Sequence, residues 1–250
     1  MAVTIKSDRE IELMRESGHL LARVQNGLAD MVKAGMSTYE INAIGEKLIR
    51  DLGCIPSFLN YEGYPASICV SVNEEIVHGI PSEDKFIKDG DIVSLDAGLI
   101  YKGYHSDCAR TLIIGDATEE ARKLTEVTKQ SFFEGIRAAK AGNHLYDISD
   151  AIDRYVTPFG YGIVEDMTGH GIGTSMHEDP MIPNYHQDEK GIYLQPGMTL
   201  AIEPMINAGS REIKISDNGW TVSSADGSLS AHYENTILIT EGDPEILTMI

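Results

Sequence analysis

Residues 33–41 read KAGMSTYEI, and residues 140–148 read KAGNHLYDI. The two stretches lie 107 residues apart and share Lys-Ala-Gly, a tyrosine (Tyr39, Tyr146) and an isoleucine (Ile41, Ile148). At the same offset Gly53 meets Gly160, and GDIVSLD (90–96) lies over GMTLAIE (197–203). Chance can supply one such match; several at one constant offset indicate duplication. The chain therefore reads as two similar α/β halves, about 7–115 and 116–240, around a pseudo-two-fold axis. Each half should carry two helices followed by strands. No Pro- or Ser-rich linker divides them, so residues 1–250 are expected to form one domain.

The helix signals fit this plan. Ser7 with Glu10, and Ser37 with Glu40, are capping boxes. They open a long helix expected to stop at Gly35 and a shorter one ending at Gly53. Asp116 followed by Glu119 starts a third helix running towards Gly142, and a fourth near 146–156 is closed by Pro158. The segments 65–115 and 160–240 read as strands and hairpins.

The repeat superposes Asp96 on Glu203, which puts a carboxylate at one place in each half. Asp96 follows Ile92, Val93 and Leu95 in an apolar strand, where an uncompensated charge is costly. DIVSLDAGLIYKGYHSDCARTLII reads as a hairpin turning near 101–103. With Tyr101 and Lys102 central, Asp96 faces Asp107; with the turn one residue later, the two become diagonal neighbours on the same face. Either way like charges meet, and a bound cation relieves them. Glu203 and Glu234 stand in further β-prone apolar runs. Duplication predicts a mate for Asp107 near position 214, so Glu234 takes that role only if the second hairpin holds an insertion. The polar segment 216–228 is the candidate. Four carboxylates balance two divalent cations better than one. An oxygen-rich set of this kind suits Mn, Fe or Co, with Zn also admitted.

MTGHGIGTSMHEDP (167–180) holds His170 and His177 seven residues apart. Three glycines argue against a helix, and one straight strand would point the rings to opposite faces. They share a site only if the chain bends between them.

Composition bounds the partners. A net charge of −19 argues against nucleic acid or an anionic membrane. Cys54, Cys69 and Cys108 suit reduced thiols, and no apolar run has signal-peptide or transmembrane character. A cytoplasmic protein is expected.

Taken together, His78 in NEEIVHGIP, Asp96, Asp107, GHGIG around His170, MHEDP around His177, IEPM around Glu203 and YEN around Glu234 resemble the methionine aminopeptidase family of M24 metallopeptidases. The likeness covers essentially the whole chain. With no N-terminal extension and no long insertion before Glu203, it is similar to the type I members. The resemblance implies the pita-bread fold, an antiparallel sheet flanked by two helix pairs. It implies removal of the initiator methionine from nascent chains, preferably before a small second residue. Asp96 would bind one metal, Asp107 and Glu234 would bridge two, and His170 with Glu203 would complete the other. Water activated by the metals would attack the first peptide bond, with Glu203 shuttling its proton. His177 would donate to the carbonyl oxygen, and His78 would contact the scissile amide. Tyr61, Tyr64, Cys69 and Trp220 match positions around the methionine side chain. Phe58 and Met176 stand where relatives often carry a cysteine and a phenylalanine or another apolar residue. The resemblance also allows a monovalent-cation site near Asn73 and Ser230, and a transient ribosome contact.

Some residues depart from the pattern. AHYENT replaces the familiar AQYEHT, so His232 takes a glutamine position two residues before Glu234. It is read as standing behind the ligands, with an additional ligand as the alternative. Cys108 should face away from the metals unless a bulge turns it inward. Two rivals remain: a proline-directed peptidase of the same fold, whose relatives usually carry a large extra domain, and a non-catalytic peptide-binding relative, which typically loses metal ligands.

Overall fold

The computed structural model describes residues 3–250. Four helices stand in two pairs: α1 (Asp8–Met31) with α2 (Thr38–Asp51), and α3 (Glu119–Ala138) with α4 (Tyr146–Val156). Both capping boxes form, with Glu10 and Glu40 accepting from the N–H of Ser7 and Ser37. Three boundaries differ from expectation. Helix α1 stops at Met31, because buried Val32 turns into extended backbone; Gly35 lies in the following loop and donates to Ile87 O. Thr118, not Asp116, caps α3: its Oγ1 accepts from Ala121 N while Asp116 turns to Arg122. Helix α3 ends at Ala138, short of Gly142.

Among the described residues all strand pairs are antiparallel. In the first half Ile92–Tyr101 lies between Ile68–Val72 and Tyr104–Ile113. In the second, five strands run in the order Glu245–Ile246, Asn235–Leu238, Thr199–Ile202, Gly169–Gly171, Glu178–Ile182. Of two three-stranded sheets, one links the halves by joining Glu75–Val77 to Val222–Ser224, and the other pairs Met205–Asn207 with Ser230–His232 and Gly162–Ile163 within the second half. Each helix pair covers its own sheet. One apolar cluster joins Leu21, Leu28 and Ile49 to Val70 and Leu95; another joins Leu124, Phe132 and Ile152 to Leu200 and Ile237. Among the described residues no helix is long and apolar enough to cross a membrane.

The backbone repeats as the sequence does. Gly35 and Gly142 have φ of +91° and +89°, Gly53 and Gly160 +73° and +74°, Gly90 and Gly197 +90° and +89°. Gly35 N–H donates to Ile87 O, and Gly142 N–H donates to Leu194 O. Later the offset widens from 107 to 125, since Ile114 donates to Asp91 O as Ile239 does to Met198 O. The second hairpin therefore holds 18 extra residues, between Asn207 and Ser230.

The first hairpin turns at Lys102 and Gly103, both left-handed (φ +48° and +87°), with Tyr101 facing Tyr104. Asp96 thus lies opposite Ala109, and Asp107 opposite Gly98. The aspartates are diagonal neighbours on one face, not a facing pair.

Candidate active site

The second hairpin keeps one register from Thr199 against Leu238 to Asn207 against Ser230. Its ladder lapses in the middle, at Glu203–Pro204 and Tyr233–Glu234, where Pro204 has no N–H to offer. That register puts Glu203 opposite Glu234. By the repeat, Glu203 answers Asp96 and Glu234 answers Ala109. The expected mate of Asp107 is therefore corrected: His232, not Glu234, holds that place.

The glycines around His170 have a spatial cause. The strand Gly169–Gly171 is pressed between Thr199–Ile202 and Glu178–Ile182. A Cβ on Gly169 would fall 2.4 Å from Ala201 O, and one on Gly171 2.2 Å from Asp179 O. A register shift after His170 starts the bend, and the chain returns so that the His170 and His177 rings lie 4.4 Å apart, nearly perpendicular.

His170 Nδ1 donates to Gly171 O at 2.8 Å, which leaves the Nε2 lone pair free. That Nε2 lies 3.6 Å from Glu203 Oε1 and 3.8 Å from Asp107 Oδ2. Donor atoms of Asp107, His170 and Glu234 all lie within 4.8 Å of one another. Burial raises Asp96 to about 7. Burial, then repulsion from Asp96 and Glu203, raises Asp107 well above the usual carboxylate range. Glu203 and Glu234 rise for the same reasons. Burial holds His170 and His232 down at about 3, so both rings are neutral near pH 7.

These groups fit divalent metal. Asp96 Oδ1 and Glu234 Oε1 are buried with no hydrogen-bond partner, as unfilled ligand atoms would be. Four repelling carboxylates and a neutral imidazole form a hard donor set. Cys69 is held as the thiol by burial and by Asp96. Cys108 sits in the α1 side of the core, with no bulge turning it inward.

The carboxylates wall one side of a cavity of about 440 Å³. Phe58, Tyr64, Cys69 and Met176 pack together at its apolar end, with Tyr61 and Trp220 against them. His78 and His177 line it between these and the carboxylates. His78 has φ +57°, a left-handed conformation costing about 1–2 kcal/mol, which is tolerated where the backbone is tightly packed. Tyr61 Oη lies 2.9 Å from His177 Nδ1. The thirteen residues to which the resemblance gives metal, catalytic or methionine-binding roles thus line one cavity. Glu62, Asp166 and Glu178 line it too and were not singled out. Glu178 stood in MHEDP, but its buried partner Lys6, 2.6 Å away, is far upstream.

A model of metallopeptidase family M24 matches residues 12–241. The chain is 50% identical over 247 residues to a methionine aminopeptidase of Clostridium acetobutylicum, with 99% of each chain covered. It superposes on the crystal structure of a methionine aminopeptidase from Thermotoga maritima with a TM-score of 0.97 at 40% identity, covering 100% of both chains. Prolidase from Pyrococcus furiosus gives 0.79 at 26% identity, covering 98% of this chain and 65% of the prolidase.

Proposed function

The chain belongs to metallopeptidase family M24, and from that premise we propose that it releases N-terminal methionine from polypeptides, preferably before a small second residue. One observation carries the reading: a single cavity joins an apolar end of methionine-like character to a wall of buried carboxylates. Divalent metals bound there supply Lewis acidity and lower the pKa of water. Asp96, Asp107, His170, Glu203 and Glu234 would hold two such ions, Asp107 and Glu234 serving both, Asp96 one, and His170 with Glu203 the other. Mn, Fe and Co suit this set best, and Zn is admissible.

The remaining groups act on the substrate. Phe58, Tyr61, Tyr64, Cys69, Met176 and Trp220 enclose the methionine side chain, which removes its apolar surface from water. With Tyr61 donating to Nδ1, His177 keeps its proton on Nε2 and donates to the carbonyl oxygen as charge develops there. His78 contacts the scissile amide. Glu203 accepts a proton from water and passes it towards the leaving amine.

The test is release of free methionine from Met-Ala-Ser and Met-Pro-Gly, with Gly-Pro-Ala as control, across Mn, Fe, Co and Zn. Metal-dependent release from the first two alone is expected. Cleavage of the control alone would move the protein to the proline-directed branch.

A further inference from the structure

His232 stands behind Glu203 and Glu234 and has no part in the roles above. It is 1% exposed and does not line the cavity, yet among the described residues neither ring nitrogen has a hydrogen-bond partner. A buried polar group in that condition calls for an explanation. Its backbone is clamped by Thr111, whose Oγ1 accepts from His232 N–H and donates to His232 O, both at 2.9 Å. The ring Nε2 lies 3.7 Å from Glu203 Oε2 and 3.9 Å from Glu234 Oε2, a few tenths of an ångström beyond hydrogen-bond length.

The two glutamates are arranged alike around it. Glu203 turns Oε2 to His232 and Oε1 to His170. Glu234 turns Oε2 to His232, and its Oε1 is left without a partner. An ionised carboxylate only accepts, so the complement to both is a ring with a proton on Nε2. The duplication sharpens the point. His232 occupies the counterpart of Asp107, and a carboxylate there would add a fifth anion to four that two divalent ions already balance.

We propose that His232 is a positioning residue: an Nε2–H donor shared by the Oε2 atoms of Glu203 and Glu234, which fixes how both carboxylates are presented to the metals. The proposal rests on the reading of these glutamates as metal ligands. It is tested by titrating Mn²⁺ into chelator-stripped wild type, His232→Gln and His232→Leu, followed by calorimetry. Glutamine keeps an N–H donor; leucine keeps bulk without one. The glutamine variant should bind within about 3-fold of wild type, and the leucine variant about 10- to 100-fold more weakly. Ring ¹⁵N–¹H spectra of zinc-loaded wild type should show the His232 proton on Nε2, a measurement that needs no variant to fold. Wild type that binds no Mn²⁺ would overturn the ligand reading on which this stands. Two Mn²⁺ bound equally well by wild type and the leucine variant, or a His232 Nε2 without a proton, would overturn the positioning role alone.

Discussion

The rings of His170 and His177 nearly touch, but they face different chemistry. His170 directs Nε2 at Asp107 and Glu203, while His177 has its Nδ1 against Tyr61. His177→Ala should therefore keep both metals and lose about 100- to 1,000-fold in kcat, the usual cost of one removed oxyanion donor. Metal analysis beside steady-state kinetics checks this; loss of the metal instead would refute the division of labour. The residue types and their order were legible in the sequence. Through the resemblance their shared cleft was expected as well, but not the local cause of the glycines: the strands Thr199–Ile202 and Glu178–Ile182 leave Gly169 and Gly171 no room for a Cβ. The unpartnered nitrogens of His232 were equally invisible, since they are defined by groups the chain brings there only on folding.

At the scale of elements, close packing decides what the helices tolerate. A Cβ on Gly18 of α1 would fall 2.4 Å from Leu247 O and 2.7 Å from its carbonyl carbon. Alanine gains about 1 kcal/mol of helix propensity over glycine. Overpacking against backbone costs about 1–3 kcal/mol and should win. Gly18→Ala is thus expected to lower Tm by several degrees in thermal unfolding, whereas an unchanged or raised Tm would show that the C-terminal segment moves aside easily. Local signals served well here: both capping boxes form where Ser7 and Ser37 predict them. They failed before α3, where Asp116 was expected to start the helix and Thr118, two residues later, caps it. The hairpin register was legible only to within one residue. Left-handed Lys102 and Gly103 set the turn one position later, which makes Asp96 and Asp107 diagonal.

Across the whole molecule, duplication is the feature the sequence showed most clearly, through KAG, Gly53 and Gly160, and the paired strands before Asp96 and Glu203. An insertion in the second hairpin was raised with segment 216–228 as its place, but its length of 18 residues was not legible, because the polar loop carries no repeat to align. Two copies of one hairpin face each other and concentrate four carboxylates in a chain already at −19. Without metal, their raised values mean protons are held: Asp96 up to about 7, and Asp107, Glu203 and Glu234 well above the usual carboxylate range. A carboxyl with a raised folded value contributes stability that is full below its unfolded value, near 4, and lost as pH rises through the folded value. Bound metal removes that penalty. The gap in Tm between metal-loaded and chelated protein should therefore widen from pH 5 to pH 8; a constant gap would contradict the burial of these charges.

Metal held by the carboxylates and used to release methionine is the central requirement of this chemistry. The most direct measurement adds Mn²⁺ stepwise to chelator-stripped protein while recording bound metal and methionine freed from Met-Ala-Ser, with Asp107→Ala alongside. Methionine release should rise with occupancy in the wild type, and the variant, lacking its bridge, should hold neither ion tightly and release almost none. Full-rate cleavage by the stripped protein, or two ions bound tightly by Asp107→Ala, would contradict that requirement.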